Sequence, residues 1–161
     1  MARQGPTEED RDEALRRLLS GLAAGDDVFE LSASVADLHP KNNTFPGEVF
    51  MELAADALEV ADATRNDPIP YLGLRETYLP ECEFRGKDNR RIQYAILTSA
   101  SVRGGLEPDL LDEVYWWGAD DYWRYALYAA VALIRAGAER RGISIAQMAE
   151  HLADRSGVTL T

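Results

Sequence analysis

The sequence contains few of the residues that metal sites and thiol chemistry use most. Among its 161 residues there are one cysteine and two histidines. One cysteine excludes a disulfide within the chain, and this set is too small for the usual zinc sites or for the paired Glu-x-x-His motifs of di-iron helical proteins. We therefore expect no metal and no other cofactor. Low cysteine content is also typical of a reducing compartment such as the cytoplasm.

Long apolar runs are also missing. The longest run, residues 125–134, lies between Arg124 and Arg135 and is half the roughly 20 residues that a membrane-spanning helix needs. The first residues do not show the basic and apolar pattern of a signal peptide. We therefore predict a protein of the cytoplasm that does not bind a membrane.

Basic residues are scarce relative to acidic ones. The chain has 17 lysines and arginines against 28 aspartates and glutamates, a net charge of −11. Attraction to phosphate dominates nucleic-acid affinity, so this charge argues against a nucleic-acid partner. Arginine outnumbers lysine fifteen to two and alanine is abundant, a usage typical of a GC-rich bacterial genome.

What the chain does contain is helical periodicity over most of its length. The predicted helices cover about residues 8–24, 27–38, 46–64, 71–79, 89–103, 108–118, 120–141 and 144–154. For the segment 82–98 a hairpin, with residues 92–98 paired to 82–84, is the alternative to a helix. We predict an all-α, single-domain helical bundle of seven or eight helices over residues 1–161, with residues 1–6 flexible.

The predicted helix at 120–141 is rich in alanine and aromatic residues. At 100° per residue, apolar side chains cover two opposite sides of the helix. Only a narrow polar stripe remains, made of Asp121, Arg124, Tyr128, Arg135 and Glu139. Such a helix belongs in the centre of a bundle, where its alanines allow neighbouring helices to approach closely. Within the stripe, Arg135 and Glu139 have the spacing of a local ion pair.

A tryptophan on the preceding predicted helix suggests a contact surface. Trp117 shares the apolar face, whereas Trp116 lies 100° away among Asp109, Asp112 and Glu113. Aromatic residues are enriched at the centres of protein interfaces. One interpretation is therefore an interaction surface made of Trp116 and these acids. The other is that Trp116 packs against the helix that follows.

An acidic stripe on the third predicted helix offers a different kind of site. Glu48, Glu52 and Glu59 share one face, with Asp56 at its edge, and carboxylates of this kind bind Mg²⁺. The stripe loosely resembles the acidic helices of the all-α nucleotide pyrophosphatase group. In that group the acids lie on separate helices, whereas here all of them lie on one helix. The alternative is a solvated helix face.

A basic island stands out in the acidic chain, in residues 84–91. If a helix begins at Asp88 or Asn89, four basic side chains surround its N-terminus, where a phosphate or carboxylate is favoured. They are Arg85, Lys87, Arg90 and Arg91. We treat them as candidate anion-binding residues; the alternative is that they pair with the protein's own acids.

The C-terminal segment resembles part of a helix-turn-helix. Residues 144–153 resemble its first helix and 156–161 its turn, but no recognition helix follows in the sequence. We therefore expect this helix to pack Ile145, Met148 and Leu152 onto the bundle rather than to bind DNA.

No nucleophile, base or metal set of recognisable spacing emerges from these patterns. The leading interpretation is a protein-interaction or regulatory module, not an enzyme, which associates with itself or with another protein. The alternative is a Mg²⁺-dependent hydrolase of phosphorylated small molecules that uses Glu48, Glu52 and Asp56.

Overall fold

The structure, a computed structural model, describes residues 8–38, 45–63, 69, 74–82 and 122–160; the side chains of residues 45–48, 75 and 122 lie outside this description. These ranges contain six helices and no strand. The helices are α1 (Glu8–Ala24), α2 (Val28–Ala36), α3 (Phe45–Val60), α4 (Leu74–Tyr78), α5 (Tyr122–Arg141) and α6 (Ile145–Ser156).

The predicted all-α class is therefore confirmed for the described residues. The predicted count of seven or eight helices is not confirmed. The expected helices at 89–103 and 108–118 lie outside the described residues, as does the segment 83–98 for which helix and hairpin were the alternatives.

Helix α5 lies in the centre of the described helices. It packs against α2, α3, α4 and α6. Every residue from Ala126 to Ile134 is buried, which places all sides of the helix in contact with protein. The enclosure predicted for the alanine- and aromatic-rich segment is therefore present in the structure.

Small residues bring α5 close to its neighbours. A Cβ atom on Gly137 would lie 2.7 Å from Cε of Met148 on α6 and 3.2 Å from the carbonyl oxygen of Ala57 on α3. Both distances are shorter than ordinary van der Waals contact. An alanine here would therefore require Met148 or α3 to shift, so glycine permits the close packing of three helices although alanine has the higher helix propensity.

Apolar stripes on the other helices complete the core as their periodicity predicts. On α1, Leu15, Leu18, Leu19 and Leu22 are all buried. The α3 face from Val49 to Ala57 is buried against α5, and α6 buries Met148 and Leu152 against α1, α3 and α5.

Two helices begin at side-chain caps. The carboxylate of Asp27 accepts a hydrogen bond from the backbone N–H of Glu30 at 2.8 Å. Ser144 and Gln147 form a reciprocal capping box at the start of α6. These caps satisfy backbone donors that have no partner within the helix, and so they fix where α2 and α6 begin.

Four helices are followed, within two residues of their last residue, by a residue with positive φ. Three of these residues are glycines, and the fourth is Asp62, with φ of +54°. The N–H of Ala63 donates to the carbonyl of Leu58 at 2.9 Å, the hydrogen bond of a Schellman motif. The predicted extension of this helix to Thr64 is therefore wrong, because the left-handed Asp62 ends α3 at Val60.

The C-terminal part of the polar stripe of α5 contacts α4 and the residues that follow it. Nη1 of Arg135 donates to Glu81 and to the backbone carbonyl of Tyr78, each at 2.7 Å. Glu139 accepts a hydrogen bond from the Tyr78 hydroxyl. Arg135 and Glu139 thus bind a distant segment of the chain, where the sequence suggested that they bind each other.

Candidate functional site

An open groove lies between α2 and α5. It has a volume of about 400 Å³ and is lined by Phe29, Ser32, Ala33, Ala36, Arg124, Tyr125 and Tyr128. The four α2 residues recur at the spacing of one helical face, and the α5 residues occupy one turn. A volume of this size accommodates one or two side chains or a small ligand.

The α2 wall of the groove exposes an aromatic ring. Val28, Leu31 and Val35 point into the core, which leaves Phe29 on the edge of the helix. The Phe29 side chain is 48% exposed. Among the residues that the structure describes, it is the one large hydrophobic residue in the exposed class. An apolar ring beside an open groove favours contact with another molecule.

The floor of the groove is a buried polar pair. Tyr128 on α5 is 3% exposed, and its hydroxyl is hydrogen-bonded to the side chain of Ser32 on α2. Burial raises the pKa of the Tyr128 phenol. The ring of Tyr125 meets that of Tyr128 edge to face, with centroids 6.5 Å apart. These contacts hold α2 and α5 at a fixed separation and so set the width of the groove.

Arg124 supplies a positive charge to the groove. Its side chain is exposed, and its guanidinium carbon lies 5.8 Å from the centre of the Trp123 ring. Attraction between a guanidinium and an indole face restricts where the arginine points. The groove therefore combines apolar walls with one cation in a chain of net charge −11.

The acidic stripe on α3 is partly neutralised by the protein itself. Nη2 of Arg155 on α6 lies 3.8 Å from the Asp56 carboxylate and also forms an ion pair with Glu59. Glu52 is exposed, and the side chain of Glu48 lies outside the description. Two carboxylates of the proposed Mg²⁺ stripe are thus engaged by an arginine.

Neither a metal cluster nor a membrane-spanning helix is found in the part of the chain that the structure describes. Those ranges contain no group of three or more histidine, cysteine, aspartate or glutamate side chains able to hold a metal ion. No helix there is long and apolar enough to cross a bilayer.

Both remaining sequence-derived candidate sites lie outside the described residues. One is the Trp116 surface with Asp109, Asp112 and Glu113. The other is the basic island of Arg85, Lys87, Arg90 and Arg91. The interaction and anion-binding roles of these residues stay predictions.

Comparisons with known proteins identify no relative. No family model matches the sequence, and neither the curated proteins nor the solved structures contain a significant match. The chain's own geometry is therefore the basis for a functional proposal.

The α2–α5 groove was not predicted from the sequence, although one of its residues carried a signal. Placing α2 on a helical wheel puts Val28, Leu31 and Val35 together and places Phe29 about 100° to 160° away from each of them. The same reasoning singled out Trp116. Ser32 and Tyr128 gave no such signal, because their contact joins segments far apart in the sequence.

Proposed function

We propose that this protein is a helical protein-interaction module that associates with itself through the α2–α5 groove. The observation that carries the proposal is the half-exposed ring of Phe29 beside an apolar groove of about 400 Å³. Burying the exposed half of a phenylalanine contributes about 1 kcal/mol, and aromatic anchors in such grooves dominate many interfaces.

The groove has the composition of an interface centre. Its walls are aromatic rings and alanine methyl groups, and the charged residue that lines it is an arginine. The buried hydroxyl groups of Tyr128 and Ser32 are hydrogen-bonded to each other. Aromatic residues and arginine are enriched where proteins meet, and lysine and acidic residues are depleted there. The predicted surface around Trp116 would add a second contact region.

The alternative function, a Mg²⁺-dependent hydrolase, has weaker support. Arg155 lies against Asp56 and Glu59, and an arginine at this position repels a divalent cation.

The proposed setting is the cytoplasm of a bacterium. The support for that setting is the single cysteine and the arginine-rich composition.

The oligomeric mass tests the proposal. Multi-angle light scattering and sedimentation velocity on the wild type should give a dimer that dissociates on dilution. Phe29→Ser should shift the equilibrium towards monomer, because the substitution removes the apolar anchor. The matched control is Ala146→Ser at an exposed position of α6, which should leave the mass unchanged. A wild type that is monomeric at every concentration contradicts self-association.

A further inference from the structure

We infer that the α2–α5 groove also binds a basic amphipathic helix of another protein, in exchange for the second copy. The inference rests on the proposed function only in taking the groove as a protein-binding surface. It adds the chemistry of a second occupant, which carries apolar side chains along its contact face and lysine or arginine along one edge. The observation behind it is a row of acidic side chains beside the apolar row of α2.

The α2 side of the groove presents small and aromatic apolar groups in one row. Phe29, Ala33 and Ala36 recur at the spacing of one helical face, and all three line the groove. The half-exposed ring of Phe29 projects, whereas each alanine ends at a methyl group and leaves room beside the ring. A second helix can therefore approach closely over the alanines and pack its apolar side chains against the ring.

An acidic row borders the apolar row on the side away from Ser32, which contacts α5. Glu30 and Asp37 are both exposed and lie seven residues apart, about 40° to 60° beyond Ala33 on the helical wheel. Asp37 is the C-cap of α2 and keeps helical backbone angles, so it continues this side of the helix. In the part of the chain that the structure describes, neither carboxylate forms an ion pair.

The charge around α2 is predominantly negative. Between Arg17 and Lys41 the sequence contains four acidic residues and no lysine or arginine. Arg17 of α1 donates to the carbonyl oxygen of Ser34 on α2, but its guanidinium is already paired with Glu13. A cationic helix is therefore attracted to the acidic row, whereas a second copy, with its own net charge of −11, is repelled overall. This difference favours a basic partner over a second copy.

Arg124 on the opposite wall sets the direction in which such a helix lies. Its guanidinium carbon lies 5.8 Å from the centre of the Trp123 ring, and its charge repels lysine and arginine. The basic edge of the partner must therefore lie along Glu30 and Asp37, with the apolar side chains over Phe29. Charges at such a rim make association faster and dependent on salt, while the apolar anchor contributes most of the affinity.

A designed peptide tests this inference. The probe is a fluorescein-labelled amphipathic helix of about 18 residues, with leucines on one face and lysines along one edge of that face. One control peptide has the same composition in an order that breaks the apolar face, and the other has glutamate in place of lysine. In fluorescence anisotropy the probe should bind at least about tenfold more tightly than either control. Added salt should weaken its binding.

Paired removal of acidic charges locates the site. Glu30→Gln combined with Asp37→Asn removes the acidic row and should weaken binding of the probe about fivefold. The matched control is Glu150→Gln combined with Asp154→Asn, which removes the same charge from exposed positions of α6 and should leave the affinity unchanged. Phe29→Ser removes the anchor and should weaken binding at least about tenfold.

Three results would overturn the basic partner. They are equal binding of the reordered peptide, equal loss of affinity in both charge-removal variants, and wild-type affinity in Phe29→Ser. The first two would show that the acidic chain attracts cations without a defined site. If the wild type is a dimer, saturating probe should lower its mass in light scattering to that of a one-to-one complex, and a dimer that persists contradicts the exchange.

These results are separate from the test of self-association. A wild type that dimerises but does not bind the probe keeps self-association and defeats the basic partner. A wild type that is monomeric at every concentration but binds the probe at the acidic row defeats self-association and keeps the basic partner.

Discussion

The Tyr78 hydroxyl donates a hydrogen bond to the Glu139 carboxylate and so joins α4 to the last part of α5. Arg135 strengthens the same junction, because it binds the carbonyl of Tyr78 and the carboxylate of Glu81. Phe29 lies on α2, outside this junction, so the stability of the junction and the association of the protein can be tested separately.

The Tyr78–Glu139 hydrogen bond should make stability depend on pH in the alkaline range. The bond to Glu139, together with burial, raises the pKa of Tyr78 to about 12. The folded state therefore holds the proton more tightly than the unfolded state, whose phenol titrates near 10. The contribution is complete below about pH 10 and is lost as the pH rises towards about 12.

Tyr78→Phe tests this dependence. The variant should lose about 1 kcal/mol of unfolding free energy at neutral pH and should show a smaller further loss in alkali. Titration of the phenolate absorbance should lack one late transition, while buried Tyr128 still titrates late. Glu139→Gln is the control, because it keeps an acceptor but removes the charge, and it should lower the pKa of Tyr78. If Tyr78→Phe lacks a transition at about pH 10 instead of a late one, and Glu139→Gln leaves the titration unchanged, the bond is absent in solution.

Gly137→Ala should destabilise the protein. Alanine gains about 1 kcal/mol over glycine in helix propensity, but its methyl group would lie 2.7 Å from Met148 and 3.2 Å from the Ala57 carbonyl oxygen. Overpacking of this kind costs about 1–3 kcal/mol, so we expect a net loss of about 1 kcal/mol in denaturant unfolding. A gain in stability would mean that the end of the Met148 side chain and α3 shift to admit the methyl group at little cost.

Asp62→Gly should stabilise the end of α3. Glycine adopts the positive φ of this position more readily, which is worth about 0.5–1 kcal/mol. The substitution also removes the exposed ion pair with Arg141, whose atoms are 3.0 Å apart and which contributes at most about 1 kcal/mol. The gain should therefore be larger in an Arg141→Ala background, as a double-mutant cycle would show. Equal gains in both backgrounds would indicate that the ion pair contributes nothing.

Divalent cations should not stabilise the wild type in thermal unfolding. Arg155 lies near Asp56 and Glu59, so a Mg²⁺ or Mn²⁺ ion would have to displace it. Arg155→Ala should allow weak binding at the stripe, seen as a small rise in melting temperature with Mn²⁺. Strong stabilisation of the wild type by Mg²⁺ with a nucleotide, lost in Glu52→Gln, would favour the hydrolase instead.

Local patterns were sufficient to predict much of the fold. The central helix α5 was predicted at 120–141 and is found at Tyr122–Arg141. Its central position could be predicted because apolar residues lie on two opposite sides of the helix. The last helix was predicted to begin at residue 144, and the structure has Ser144 as the N-cap of α6 in a capping box. Periodicity and capping depend on neighbours in the sequence, and for that reason they can be read without a structure.

Contacts between distant segments could not be predicted in this way. Tyr128 was assigned to a polar stripe, yet it is buried against Ser32 of α2. Arg155 was not connected with the acids of α3, although it binds Glu59. In each case the partner is set by how the helices pack, which the spacing of residues along one helix does not determine.

The most direct measurement of the proposed contact is photo-crosslinking from position 29. Azidophenylalanine in place of Phe29 keeps the ring and its position, and a mixture of isotopically heavy and light chains distinguishes links between copies from links within one copy. We predict heavy–light crosslinked peptides that join position 29 to the groove, at Ala33, Ala36 or Tyr125 of the second copy. Links confined to single chains, or links between copies at surfaces away from α2 and α5, would contradict the account.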